Sequence, residues 1–402
     1  MPMSNIEDIT DSLNKNPMFR LSLGSKELFH SNFLEFLWEE DKVSFFKMLC
    51  EILGDGNEQI KQMINSQEEY ILSREKKKFD ICIYHKDDET EIYDVIIENK
   101  VKSIPYKTQL DGYVKVVGNN HKQNPPVYIL LSLAKAFPDK NVIEKIDKWK
   151  IVSYDSLLEA IKNYYFKKEL CNSYIKDYCE FISRLYALQE CIMDKIMSTT
   201  FYDATIISKF EDVRLHDLYH KLRGSYFISE LFNMLNSENL NNAQIKIDKG
   251  DRKGKDGTIF LSSTMNNGKS TITASILKDK TFYEIQIEGE QYRHMFNQPN
   301  LAKDCSILQP QKKQSKVDEK KIKKTLTSNS TAFQFINFSD NFDVNNINEK
   351  VSDNYCKYAP DCVYRYKLYD NNLTFQKVLR IMADDVTNIY NVLFYLKAKI
   401  TK

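Results

Sequence analysis

Two carboxylates and a lysine stand close together in the sequence between positions 80 and 100. Asp80 opens the run Asp-Ile-Cys-Ile, and Glu98 and Lys100 close the run Ile-Ile-Glu-Asn-Lys. Carboxylate oxygens are ligands that Mg²⁺ prefers, with water and phosphate oxygens completing its shell. A metal held in this way activates water, and a neighbouring ammonium group offsets charge that builds up on a phosphate. These residue types together suit hydrolysis of a phosphodiester bond.

The three side chains meet only if two β-strands carry them on one face of a sheet. Residues two apart on a strand share a face, so Glu98 and Lys100 point the same way. The polar turn at 86–90 separates their strand from the alternating run after Asp80, and this pattern predicts a β-hairpin. Asp80 must then lie on the face of Glu98 for the three groups to converge.

The register of the hairpin decides whether Asp80 joins this face. A turn centred on Asp88 places Asp80 opposite Ile96 and diagonally near Glu98. A turn centred on Glu89 places Asp80 directly opposite Glu98. Both registers bring the two carboxylates to one face, whereas an odd register would separate them, so the predicted site depends on the turn.

The same charges would also fit an exposed hairpin with solvated side chains, because Asp and Glu-x-Lys combine often by chance. Three observations favour a site. The apolar run 95–97 indicates a buried strand, and a buried strand that ends in Glu-Asn-Lys is unusual. Gln109 lies in the first turn of the next predicted helix, and Glu27 lies on a predicted N-terminal helix.

The predicted elements around these residues form an α/β sheet. The first 66 residues have apolar side chains at helix spacing. A hairpin, a helix, two strands and further helices follow, and their alternation favours parallel neighbours after the hairpin. The predicted strands cover 79–84, 91–98, 127–133 and 150–153, and the predicted helices cover 106–117, 154–165 and 170–196.

The pattern changes after about residue 240. Short runs of alternating apolar and polar residues at 244–247, 258–262, 271–276 and 282–287 predict an antiparallel meander. The segment 373–400 is predicted to be a helix. The lysine-rich segment 311–330 is expected to be a mobile loop, and DNA contact is one reading of its charge. We therefore predict a catalytic domain at 1–200 and an α+β domain at 201–402 for recognition, regulation or dimerisation.

Composition places few limits on function. The net charge of +1 neither supports nor excludes a nucleic-acid partner, because a basic patch can be balanced by acidic surface elsewhere. The N-terminus has no apolar run typical of a signal peptide, and no stretch reaches the ~18 apolar residues that span a bilayer. The eight cysteines contain no CxxC pair. These features predict a cytoplasmic protein with reduced thiols and no membrane partner.

Five short motifs together resemble the PD-(D/E)XK nuclease superfamily, and one bacterial group in particular. They are E-L-F-H-S at 27–31, R-E at 74–75, D-I at 80–81, I-I-E-N-K at 96–100 and Q-L-x-x-Y at 109–113. The resemblance covers roughly residues 20–165. One departure is Phe79, which stands where proline precedes the aspartate in the family, and the basic residue often seen near that position is Lys78.

This resemblance implies a restriction-endonuclease-like mixed sheet flanked by helices, with a role for each site residue. Asp80 and Glu98 would bind Mg²⁺ (or Mn²⁺), and Lys100 would position the attacking water. Glu27 would complete or support the metal shell, and Gln109 would lie near the metal or phosphate.

The resemblance also implies a nucleic-acid substrate, DNA in preference to RNA, and a role in defence against phage. A homo-oligomer is compatible with it. Two alternatives remain open: a catalytically inactive nucleic-acid-binding module with the same fold, and an RNase that uses the same site.

Overall fold

The computed structural model describes residues 6–22, 26–54, 58–101, 107–117, 125–133, 148–166, 173–196, 200–201, 203–238, 240, 243–247, 252–266, 269–289, 291–297, 347–348, 356–359, 362–369 and 373–394. The chain divides into two compact units. The first comprises Met1–Asp194 with Ile207–Tyr219, and the second comprises Lys195–Ile206 with His220–Lys402. Separate functions for 1–200 and 201–402 stay a prediction.

The first unit begins with helices, as predicted for its first 66 residues. Asp41 caps one of them by accepting hydrogen bonds from the backbone N–H groups of Val43 and Ser44. Gly54, with φ 70, ends the same helix. The helices are α1 (Ile6–Lys15), α2 (Pro17–Ser22), α3 (Lys26–Glu40), α4 (Lys42–Leu53) and α5 (Glu58–Asn65).

A five-stranded mixed sheet follows, and it confirms the predicted fold class. Its order is β1-β2-β3-β4-β5, antiparallel from β1 to β3 and parallel from β3 to β5. The strands are β1 (Ile71–Arg74), β2 (Ile81–Asp87), β3 (Thr90–Lys100), β4 (Val127–Ser132) and β5 (Trp149–Ser153). The helices after β3 are α6 (Lys107–Val117), α7 (Tyr154–Ile161) with a π-helical turn at Lys162–Phe166, α8 (Ser173–Ile196) and α9 (Ala204–Asp212).

Helix α6 covers one face of this sheet. Its Leu110 and Val117 join a buried cluster with Cys82, Ile96 and Leu130 from the three central strands. Glu98 pairs with Leu130 across β3 and β4, which places the Glu98 side chain on this same face. The opposite face meets α3 through Asn99, so consecutive residues of β3 serve two different layers.

The hairpin turn between β2 and β3 contains two residues, Asp88 and Glu89. Asp88 has φ 51, and tight hairpin turns require a positive φ at this position. Both turn centres predicted from the sequence are therefore wrong, because the true centre lies between them. Continued without change, this register would place Asp80 opposite Ile97, on the face away from Glu98.

One extra residue in β3 shifts the pairing of β2 with β3 by one position between the turn and the predicted site. Tyr93 pairs with Tyr84 and Val95 with Ile83, so Asp94 is left over as a β-bulge. A bulge shifts the pairing by one position. Beyond it, the hairpin returns to the even register on which the predicted site depends.

Asp80 directly precedes β2, and the corrected register continues to place it opposite Glu98. The bulge itself is held by a side-chain contact, since His85 Nδ1 lies 2.7 Å from the Asp94 carboxylate. With every residue of β3 present, the convergence of the two carboxylates therefore depends on a bulge several positions away in the sequence.

Deleting Asp94 is expected to leave the free energy of unfolding within about 1 kcal/mol of wild type, because every strand pair on both sides of the bulge can persist. The His85–Asp94 hydrogen bond is lost, and such a bond contributes about 1 kcal/mol. Deleting Val95 also shortens β3 by one residue, but it moves Asp94 opposite Ile83, into a fully buried site. Burial of this carboxylate should cost several kcal/mol. Urea unfolding of the two variants checks this, and equal losses would contradict the bulge assignment.

The second unit contains an eight-stranded sheet in the order β11-β13-β10-β9-β8-β7-β6, with β12 paired to β13. Its strands are β6 (Gln244–Ile247), β7 (Thr258–Asn266), β8 (Lys269–Lys278), β9 (Thr281–Glu288), β10 (Gln291–Asn297), β11 (Ile347–Asn348), β12 (Cys356–Ala359) and β13 (Cys362–Tyr369). Two long helices complete the described part, α10 (His216–Ser237), which begins in the first unit, and α11 (Phe375–Phe394).

The four strands predicted for this region are present, but β6 runs parallel to β7 rather than antiparallel. Strand β10 was not predicted, because its sequence Gln-Tyr-Arg-His-Met-Phe-Asn lacks a clear apolar alternation. Arg293 is nevertheless buried there, since its guanidinium forms two 2.9 Å contacts with Glu288. The segment 311–330 lies outside the described residues. Among the described helices, none is both long and apolar enough to cross a membrane.

Candidate active site

Glu98 and Lys100 form a buried ion pair at the carboxyl end of β3. Lys100 Nζ lies 2.7 Å from Glu98 Oε1, and the side chains are 10% and 1% exposed for Lys100 and Glu98 respectively. Removing two charged groups from water is costly, and their mutual attraction repays it only in part. Such a pair therefore indicates chemistry more than stability.

Asp80 reaches the same place from the loop that connects β1 with β2. Its Oδ2 accepts a hydrogen bond of 2.7 Å from the backbone N–H of Asn99, the residue between Glu98 and Lys100. Burial raises the pKa of Asp80, whereas this hydrogen bond and the Lys100 charge act in the opposite direction. The structure thus brings together the three residues on which the sequence prediction rests.

Burial and the nearby charges shift the pKa values of both members of the ion pair. Burial, followed by the charge of Asp80, raises the pKa of Glu98 to about 7. Burial disfavours the charged form of Lys100, but the Glu98 carboxylate more than offsets this and raises the pKa of Lys100 above its ordinary value. Without further positive charge, the two carboxylates repel each other and one tends to keep its proton.

Gln109 lies on α6 and contacts this group directly, as expected for a site residue. Its side-chain Nε2 donates to Glu98 Oε1 at 2.8 Å, and it lies 2.8 Å from the hydroxyl of Tyr113 one helical turn later. These contacts orient the Glu98 carboxylate. Tyr113 belongs to the Q-L-x-x-Y motif, but no role was predicted for it. Its i+4 spacing from Gln109 on a helix is the sequence feature that predicts their contact.

Glu27 approaches from α3. It is half-buried, and its charge raises the pKa values of both Asp80 and Glu98. Glu27 therefore contributes to the acidic field of the site. Its backbone carbonyl also accepts a 3.2 Å hydrogen bond from the Asn99 side chain, so the position of α3 is fixed relative to β3.

Asn99 is the functional residue that the sequence prediction left without a role. It is fully buried, and its Nδ2 lies 3.4 Å from Ser31 Oγ on α3. The hydroxyl of Tyr154, at the start of α7, donates to its Oδ1. The side chain of Asn99 therefore joins two helices to the sheet while its backbone N–H holds Asp80.

His30 supports this layer from within the helical core. It is fully buried, its Nδ1 lies 2.9 Å from the Tyr178 hydroxyl, and its ring stacks on Phe181. Burial lowers the pKa of His30 to about 3, so the ring is neutral. These contacts give His30 a structural role.

Comparison with known proteins identifies the family of this region. Residues 16–180 match the sequence model of a nuclease superfamily. This region is similar to the PD-(D/E)XK nuclease superfamily. The resemblance predicted from five motifs is thereby confirmed over slightly more of the chain than expected. A search of the curated proteins and a search of the solved structures found no match.

PD-(D/E)XK nucleases typically use divalent metals, and the residues present here fit such an ion. Glu98 Oε2 is buried and has no hydrogen-bond partner among the described residues, so its lone pairs are available to a cation. No group of three or more His, Cys, Asp or Glu side chains suited to a metal occurs in the described part of the chain. Two carboxylates nevertheless suffice for Mg²⁺ when water and substrate phosphate supply the remaining ligands.

The loop that delivers Asp80 has an unusual backbone. Glu75, Lys77 and Lys78 have φ values of 56, 52 and 72. Left-handed backbone costs roughly 1 kcal/mol or more for each residue that carries a Cβ atom. The loop is closed by hydrogen bonds from Glu75 N to Asp80 O at 3.4 Å and from Phe79 N to Lys76 O at 3.0 Å. Phe79, in place of proline, is fully buried and anchors the loop in the core.

Proposed function

We propose that this chain is a metal-dependent nuclease that hydrolyses phosphodiester bonds of DNA, with Asp80, Glu98 and Lys100 as its catalytic residues. The observation that carries the proposal is the buried Glu98–Lys100 pair with Asp80 hydrogen-bonded between them, within a region that matches the model of a nuclease superfamily. The match to this superfamily supports phosphodiester hydrolysis as the reaction class. Metal dependence, the preference for DNA and the roles of the individual residues are proposed with it.

Each residue has a task that follows from its contacts. The carboxylates of Asp80 and Glu98 would hold Mg²⁺ or Mn²⁺, which supplies a nucleophilic water and Lewis-acid stabilisation of the phosphate. Lys100, paired with Glu98, would orient the water and offset negative charge on the phosphate as the bond breaks. Gln109 fixes the orientation of Glu98 through its 2.8 Å hydrogen bond, and Glu27 adds negative charge that strengthens metal binding.

The test is cleavage by the purified full-length chain. Supercoiled plasmid, linear duplex DNA and single-stranded RNA would be incubated with Mg²⁺ or Mn²⁺, with EDTA as the metal-free control. We expect cleavage of DNA that EDTA abolishes. Cleavage of RNA alone would make the chain an RNase, and no cleavage of any substrate by a folded protein would contradict the proposal.

Calorimetric titration with Mn²⁺ separates the nuclease from an inactive nucleic-acid-binding module. A functional site should take up the metal with an affinity that Asp80→Asn weakens. Metal uptake that is absent, or unchanged by this substitution, would favour the inactive module. Defence against phage is the cellular role we propose, and plating efficiency of phage on cells that express wild type or Asp80→Asn tests it.

A further inference from the structure

The loop between β1 and β2 places charged residues where glycine is the usual choice. Glycine adopts positive φ freely because it has no Cβ atom, whereas Glu75, Lys77 and Lys78 adopt φ of 56, 52 and 72 at a conformational cost. Natural sequences retain such strain mainly where the side chain or the backbone shape is needed for function. A side chain at one of these three positions is therefore expected to have a function that glycine cannot supply.

Two of the three lysines in the loop have structural contacts that account for them. Lys76 Nζ lies 2.5 Å from Glu91 Oε1 and 3.8 Å from the centre of the Tyr84 ring. Lys77 Nζ lies 4.8 Å from the centre of the Tyr93 ring. These contacts fasten the loop to β2 and β3.

Lys78 has no such contact. It is exposed, has the largest φ of the three left-handed residues, and forms no hydrogen bond or ion pair with another residue in the described ranges. Its side chain therefore contributes nothing visible to the fold that would repay its backbone conformation. The neighbouring Phe79 is buried and Asp80 is held by Asn99, so these contacts restrain the backbone that follows Lys78, two residues before the carboxylate.

We infer that Lys78 binds a backbone phosphate of the nucleic-acid substrate next to the phosphate that is cleaved. The inference rests on the proposed function and adds a substrate-binding residue to it. Asp80, Glu98 and Glu27 make the site acidic, which repels a polyanionic substrate. A lysine two residues before Asp80 supplies a compensating charge, and lysine binds phosphate as a point charge without base preference.

The decisive variant is Lys78→Gly, because it separates binding from folding. Glycine suits a φ of 72, so the variant should unfold at the same temperature as wild type or a higher one. If Lys78 binds phosphate, the same variant should bind nucleic acid more weakly. Lys78→Arg keeps the charge and should retain most of the affinity. Lys86→Gln, an exposed lysine at the far end of β2, is the control with the same charge loss as Lys78→Gly.

The affinity of the full-length protein for a short fluorescent DNA duplex, and for RNA of the same sequence, would be measured by anisotropy with Ca²⁺ in place of Mg²⁺. One lost phosphate contact lowers the salt dependence of binding by about one ion. The affinity ratio of wild type to Lys78→Gly should therefore be about threefold larger at about 50 mM than at about 200 mM salt. Lys86→Gln should show no such change.

Equal affinity and equal salt dependence for wild type and Lys78→Gly would overturn the inference while leaving the nuclease proposal intact, provided that wild type still cuts. A lower unfolding temperature for Lys78→Gly would also overturn it, because the lysine would then serve the fold. Absence of both binding and cleavage in wild type would overturn the nuclease proposal and this inference together.

Discussion

Lys100→Met is expected to lower the rate of phosphodiester cleavage by about 10²–10³-fold under saturating metal, the loss typical of removing one group that stabilises charge in the transition state. Methionine keeps most of the side-chain volume, so the packing at the end of β3 should persist. The Glu98 carboxylate, whose pKa is already about 7, can take up a proton when its partner is removed. The variant should therefore fold, and the defect should lie in the chemical step.

Single-turnover cleavage of DNA, with enzyme in excess, would measure this step directly. Asp80→Asn should be at least as impaired and should also bind Mn²⁺ more weakly, whereas Lys100→Met should retain metal binding. Lys86→Met, which replaces an exposed lysine on β2, is the matched control and should cut at the wild-type rate. A Lys100→Met enzyme as fast as this control would remove Lys100 from the catalytic group.

The metal-free protein is expected to lose stability as the pH rises from about 5 to about 8, and Glu98 is the reason. Its pKa is about 7 in the folded state against an ordinary value of 4.5. The unfolded chain therefore releases this proton first, and the folded state becomes less favourable as pH rises between these two values. The free energy of unfolding of wild type, relative to Glu98→Gln, should fall by about 2–3 kcal/mol across this window.

Urea unfolding in EDTA at several pH values measures the difference between wild type and Glu98→Gln. Glu89→Gln, at the exposed hairpin turn, should show no comparable pH-dependent difference from wild type. Saturating Mg²⁺ should reverse the trend for wild type, because the ion binds the ionised carboxylate and stabilises the folded state by mass action. A wild-type minus Glu98→Gln difference that stays constant from pH 5 to pH 8 would contradict the raised pKa of Glu98.

Much of this site could be read from the sequence because strand alternation and family motifs both point to the same residues. Asp80, Glu98 and Lys100 share a face, and Gln109 reaches them from the next helix. The turn was the weak point, since a two-residue turn alone gives the wrong face. Nothing in the sequence marks Asp94 as a bulge, because an acidic residue within an apolar strand has no unique structural meaning. Only the pairing on both sides of it reveals the extra position.

The second unit shows a different limit. Strands β7, β8 and β9 have alternating apolar residues and could be predicted. Strand β10 could not be predicted, because its buried Arg293 pairs with Glu288 from the neighbouring strand. The spacing of apolar residues in the sequence does not reveal such an ion pair. The left-handed backbone at Lys77 and Lys78 could not be predicted from the sequence either, since lysine does not indicate a turn as glycine or asparagine does.

Glu98, Asn99 and Lys100 point to two faces of the sheet, so substitutions at these three positions should cause defects of two different kinds. Glu98 and Lys100 carry charge that the fold does not require, so losses there would persist in a protein made more stable elsewhere. Asn99 instead joins α3 and α7 to the sheet, and a defect at this position should be relieved by unrelated stabilising substitutions. Second-site suppression would then distinguish, within three consecutive residues, positions maintained by selection for activity from one maintained by selection for a folded chain.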